Sequence, residues 1–395
     1  MVLTLLDALA CKRLPIITVE RQINHIMAVN QWTQVTLTVH HPYTSSQAVE
    51  LYDAVPAIAI AEGQPAVVTL LPGRSSELVY RMKPLQRGPL NFDSCSSRQP
   101  SPWGMWLRQT THEVRSRPAV YPDYSVISAY NLLTGSQGTL PGIRKQPRRG
   151  EGRDFHQLRE YRPGDALRAI AWKASSRRGH LVAKDYEEEK DQRVIILLDC
   201  GQRMRSQDEE LSHFDQALNA ILLVSYIALR QGDSLAIGTF GNNPRWLPPQ
   251  KGTDKMKGIL NSLYDLHASR EPGDYVSAAN RVCRLQPKRS LVILVTNTRD
   301  DDSRELSLAL KQLQKHHLVL LADLREGGLD QVLNAPIKTL DDALLFASVS
   351  QFDLDHEQLH QRLRADGIFA LTTTPAALAA QIANHYLAIK RAGVL

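Results

Sequence analysis

Residues 193–199 read RVIILLD, and three later stretches repeat the texture: SLAIGTF at 234–240, SLVILVT at 290–296 and HLVLLADL at 317–324. Each is a short apolar run without the alternation of a half-buried strand. Strands of that kind are covered on both faces, and parallel strands joined by helices supply the covering. The intervening segments fit that role, since DQALNAILLVSYIALRQG, DKMKGILNSLYDL and SRELSLALKQLQKH carry helical periodicity. A further strand follows in DGIFALTTT, and a closing helix runs from Pro375 towards Gly393. Residues 191–395 are therefore expected to form an open α/β sheet.

Upstream, the period changes to two. TQVTLTVHH places Val35, Leu37 and Val39 on one face and Thr36, Thr38 and His40 on the other. AVELYDAV, AVVTLLPG, ELVYRMKP and GPLNFDS continue the pattern between Pro, Gly and Ser punctuation, which predicts an Ig-like β-sandwich over 15–122. The fold class is thus an all-β domain followed by an open, Rossmann-type α/β domain. Residues 123–190 read as a basic linker and connector. Residues 1–14, an apolar run closed by Lys12 and Arg13, read either as the remnant of a membrane helix or as a short helix packed on the first domain.

A chain of 395 residues accommodates two or three such domains, and a formal charge of +6 favours acidic partners without choosing among them. Cys11, Cys95, Cys200 and Cys283 are far apart and form no C-x-x-C pair, which argues against a zinc knuckle or a disulfide framework. No phosphate-binding loop, dinucleotide fingerprint or nucleophile elbow is present, so neither a cofactor nor a small-molecule substrate is expected.

Ligand sites of open α/β sheets lie beyond the carboxyl ends of the strands. Asp199 occupies such a tip. Followed by hydroxyls two and four residues on, it would form the magnesium loop of von Willebrand A and integrin-like folds. Gly201 and Arg203 stand at those positions, and Asn297 occupies the place of a second acidic residue, so no metal is expected there. A structural carboxylate accepting backbone N–H bonds is the simpler reading.

HEQLH, with His356, Glu357 and His360, matches the H-E-x-x-H of zinc peptidases. Leu363 stands where the extended motif needs glycine, no Glu follows His360, and only Asp366 and His385 offer a third ligand downstream. A surface helix with flanking imidazoles explains the segment without metal. The zinc hydrolase remains the enzyme alternative.

In the connector, Arg159, Arg162, Arg168, Lys173 and Arg177 alternate with carboxylates that include Asp165, around a Pro-Gly turn at Gly164. Mixed signs argue against a nucleic-acid surface, which is the weaker alternative. Trp172, between apolar neighbours, is expected to be packed. An ordered clamp built from Arg159, Tyr161, Arg162, Gly164, Asp165, Arg168, Trp172, Lys173 and Arg177 is the preferred reading.

The order GRDFHQLREYRPGDALRAIAWKASSRRGHLVAKDYEEEKDQ resembles the signature of the bacterial domain of unknown function 58 family. LQRGPLNF, SPWGMWLR, AVYPD and HYLAIKRAG are weaker echoes elsewhere. One departure is Ala171, where the family usually has Asp. The resemblance implies membrane helices before the sandwich, a von Willebrand A-like end domain, and partnership with a MoxR-type AAA+ ATPase in complex assembly, maturation or envelope stress. It also implies contact with other membrane-associated proteins. The expectation is a non-enzymatic adaptor, at the cytoplasmic side of the inner membrane if an anchor precedes Met1 and cytoplasmic otherwise.

Overall fold

The computed structural model describes residues 2–123, 154–161, 170–187, 192–208, 211–299 and 302–394, excluding the side chains of 154–159 and 184–187. The chain divides into two compact units, Met1–Tyr124 with Leu260–Leu266, and Ser125–Ile259 with His267–Leu395.

Residues 2–123 of the first unit are all-β apart from the helix Val2–Lys12. Two four-stranded antiparallel sheets share a core: Val35, Leu37 and Val39 from one and Val49, Leu51 and Cys95 from the other are all completely buried. The period-two pattern makes this inevitable, because alternate side chains of Thr33–His40 must face the same way. One polar cluster is sealed inside. Arg21 pairs with Asp53 through two N–H groups, lies 4.6 Å over the Phe92 ring, and Tyr80 donates its hydroxyl to Asp53 at 2.6 Å. The helix Val2–Lys12 is fastened by Asp7, which accepts hydrogen bonds from Ser101 Oγ (2.5 Å) and the backbone N–H groups of Trp103 and Met105 (both 3.1 Å). Leu3, Leu5, Leu6 and Leu9 of the same helix are exposed. Among the described residues no helix is long and apolar enough to cross a membrane.

The second unit contains a six-stranded sheet whose spatial order is Trp246–Gln250, Ser234–Phe240, Arg193–Asp199, Leu291–Thr296, Leu318–Leu324, Phe369–Thr373. Five strands are parallel. The Trp246–Gln250 strand is antiparallel and carries Pro248 and Pro249, residues a sheet tolerates at its edge, and these hid it in the sequence. Helices Tyr275–Leu285 and Ser303–Gln314 pack on one face with Ile195, Leu197, Val292 and Leu294. Helices His213–Arg230 and Pro375–Ala392 pack together and contact the sheet's strands. The chain runs outward from the first parallel strand to the second, then returns to the other side for the third. That reversal falls between Asp199 and Thr296, where such sheets open a crevice at their carboxyl end.

Candidate functional site at the carboxyl end of the sheet

Asp199 is completely buried at its strand tip. Its Oδ1 accepts the Gly201 N–H at 2.7 Å, and its Oδ2 accepts the Thr296 hydroxyl at 2.8 Å and Arg203 Nη1 at 3.3 Å. Arg203 is itself buried, donates to Asp302 through Nε and Nη2 and to the Gly273 carbonyl at 3.1 Å, and stacks 4.5 Å over the Tyr275 ring. Burial pushes the Asp199 carboxyl above its ordinary range against the pull of these donors. Burial also works against the Arg203 charge, but Asp302, Tyr275 and Asp199 outweigh it and hold the guanidinium protonated.

These residues do not fit a divalent cation. The guanidinium supplies the positive charge at Asp199, and no oxygen-bearing side chain can be built at Gly201. A Cβ there would lie 2.6 Å from the Gly273 nitrogen and 3.0 Å from Asp199 Oδ1. Asn297 turns away from Asp199: its Nδ2 lies 3.1 Å from His213 Nδ1 and 3.4 Å from the Arg203 carbonyl. His213 Nε2 in turn meets Asp208 Oδ2 at 2.9 Å, the oxygen that accepts the Gly327 N–H at 3.0 Å.

Two strands along the sheet from Asp199, a second completely buried carboxylate stands next to the end of its strand, Leu318–Leu324. Asp323 Oδ2 lies 2.9 Å from His356 Nε2 and 2.9 Å from His360 Nε2, and Oδ1 accepts the Thr298 N–H at 2.8 Å. The imidazoles come from the helix Leu340–Ala365, where a four-residue spacing puts them on one face with rings stacked 4.5 Å apart. Their burial corrects the expectation of a surface helix with flanking imidazoles. The carboxylate that meets both histidines is Asp323, upstream of them in the chain. Glu357 lies on the exposed side of the helix, paired with Arg364 at 3.4 Å, so it is not aimed at the histidine pair as a peptidase base would be.

A cavity of about 490 Å³ opens beside this cluster, lined by His356, Thr298, Arg299, Arg325, Glu326 and Asp353 among others. Arg325 pairs with Asp330 at 2.9 Å and Asp353 at 3.2 Å, while Glu326 accepts the Ser206 hydroxyl at 2.8 Å.

In the connector, Asp154–Glu160 pairs antiparallel with Val182–Glu187, and the helix Trp172–Arg178 lies between them in the chain. Arg162, Gly164, Asp165 and Arg168 lie outside the described residues, as does the Arg159 side chain. Tyr161 donates its backbone N–H to the Leu181 carbonyl at 3.0 Å. Trp172 corrects the expected packing: it is 67% exposed, while Ile170 and Ala171 are buried. Ser175 provides the reason. As the inward residue of the short helix, it bonds Ala171 and Val182, and Trp172 at the first helical position is left pointing outward, with Lys173 and Arg177 also exposed.

Residues 157–343 match the family described as "Protein of unknown function DUF58". That region includes Trp172, Asp199, Arg203, Asn297 and Asp323, and it ends before His356 and His360. A similar curated protein, the uncharacterized protein YeaD of Bacillus subtilis (strain 168), is 23% identical over 282 residues. The alignment covers 68% of this chain and 64% of YeaD, so the chain spans less than two thirds of that relative's length. Among solved structures, proximal thread matrix protein 1 of the mussel byssus is 13% identical, with a TM-score of 0.30 over 52% of this chain and 48% of that one. An aerotolerance-related membrane protein of Bacteroides fragilis NCTC 9343 is 15% identical, with a TM-score of 0.29 over 49% of this chain and 97% of that one.

Proposed function

We propose that the protein is a non-enzymatic adaptor: an Ig-like sandwich joined by an arginine-rich connector to a von Willebrand A-like domain that docks a protein partner. On the resemblance of its connector, the partner is a MoxR-type AAA+ ATPase, met at the cytoplasmic face of the inner membrane. The observation that carries this reading is the placement of Arg203. A guanidinium bonded to Asp199, Asp302 and the Gly273 carbonyl fills the switch-point crevice with the protein's own cation, so docking there requires no magnesium. Exposed Trp172 adds an aromatic anchor of the kind that dominates protein interfaces.

Calorimetry between the full chain and a co-encoded, nucleotide-free ATPase tests the reading. The expected complex forms in EDTA and keeps its Kd within about twofold when magnesium is added. Trp172→Ala, a change at an exposed position, weakens it by about tenfold or more. Absence of a complex, or tightening by about tenfold with magnesium, contradicts the proposal.

A further inference from the structure

Asp323, His356 and His360 present three potential ligand atoms within 4.8 Å of one another, all on buried residues. We propose that they form a binding site for a zinc-class divalent cation, with its fourth position open to the neighbouring cavity. This inference is independent of docking at Asp199.

Four features of the cluster support it. Both histidines direct Nε2 to one carboxylate oxygen, and imidazole nitrogens with a carboxylate are a donor set that suits zinc. The groups outside the ligands are also in place: His360 Nδ1 is held by Thr372 Oγ1 at 3.1 Å, and the second Asp323 oxygen is held by the Thr298 N–H. Hydrogen bonds of that type fix ring orientation and tautomer at metal centres. Third, the ligands sit on a parallel strand and a long helix, elements that hold geometry better than loops do. Fourth, the site is closed at His360 and open at His356, which lines the cavity. Thr298 Oγ1, on the same lining, is buried without a hydrogen-bond partner among the described residues. A site lacking an oxygen-bearing ligand leaves an orphan of that kind.

Three protein ligands with one open position are the arrangement of zinc sites that exchange a water or take a ligand oxygen. The exposed Glu357 does not belong to it, so the site differs from the peptidase arrangement that the HEQLH spelling suggests. Zinc competes with protons for imidazole nitrogens, so affinity falls as pH drops.

The test uses the full chain, stripped with EDTA, dialysed and titrated with zinc at neutral pH. Expected are one retained equivalent of zinc and, with cobalt(II) as the probe, the visible ligand-field absorption of a four-coordinate ion. His356→Gln lowers zinc affinity by about 100-fold or more, while Glu357→Gln leaves it unchanged. Failure of the wild-type protein to retain zinc or to give the four-coordinate cobalt spectrum overturns the proposal, and this readout needs no variant. Undiminished binding by folded His356→Gln overturns it as well.

Discussion

Two carboxylates, Asp199 and Asp323, stand at or next to the carboxyl ends of parallel strands of one sheet, both with no exposed surface, and they are neutralised in different ways. Asp199 meets a guanidinium, which cannot lose its proton in a protein. Asp323 meets two imidazoles, which can. Burial raises the Asp323 carboxyl, but its bonds to His356 and His360 outweigh this and hold it below the ordinary range. The comparison teaches that position at the end of a strand does not by itself make a carboxylate functional. A permanent internal cation closes one position, and two exchangeable bases leave the other able to take a metal.

The largest expected effect comes from breaking the first pair. Arg203→Met leaves Asp199 buried without its cation and costs about 3–5 kcal/mol in denaturant unfolding. Adding Asp199→Asn recovers part of that loss, so the double variant falls short of the sum of the singles. A loss below about 1 kcal/mol for Arg203→Met would show that the guanidinium holds nothing together and would remove the contrast. Next, Asp323→Asn in metal-free protein exchanges an acceptor for a donor beside two imidazoles, at about 1–3 kcal/mol in the same assay. It also abolishes zinc-induced stabilisation, whereas Asp302→Asn on the Arg203 side leaves that stabilisation intact.

Asp208 offers an intermediate case, a part-buried carboxylate answered by the single imidazole of His213. Burial pushes it up, yet the Gly327 N–H and His213 hold it below its ordinary value. A depressed carboxyl contributes stability that is present above about pH 4 and lost as pH falls through its folded value. Asp208→Asn therefore costs about 1 kcal/mol at pH 7, and the difference from wild type shrinks in melts below pH 4. The smallest effect belongs to Glu357→Gln. It changes stability by no more than about 0.5 kcal/mol, because Glu357 faces solvent.

The fold was legible where pattern and packing coincide. Alternation at Val35, Leu37 and Val39 and the continuous run RVIILLD each report which faces of a strand are covered, and both follow directly from the amino acids. Asp199, Gly201 and Arg203 were readable for the same reason, because the loop that joins them is local. The Asp323 cluster was not. Its members are separated by 33 and 37 residues, and no local spacing connects a strand tip to a helix that packs back over it. One signal was available: HLVLLADL carries an aspartate one residue before its end, close to where RVIILLD has Asp199, and a buried carboxylate there demands a partner. Trp172 was misjudged because composition does not specify which residue of a two-turn helix faces inward. Ser175 takes that position through hydrogen bonds to Ala171 and Val182.

The contrast between the two strand ends is tested most directly by anomalous diffraction from crystals soaked separately in manganese and zinc. The account predicts a zinc peak among Asp323 Oδ2, His356 Nε2 and His360 Nε2, and no manganese peak at Asp199, where Arg203 stays in place. A manganese ion on Asp199 with the Arg203 guanidinium displaced would contradict it.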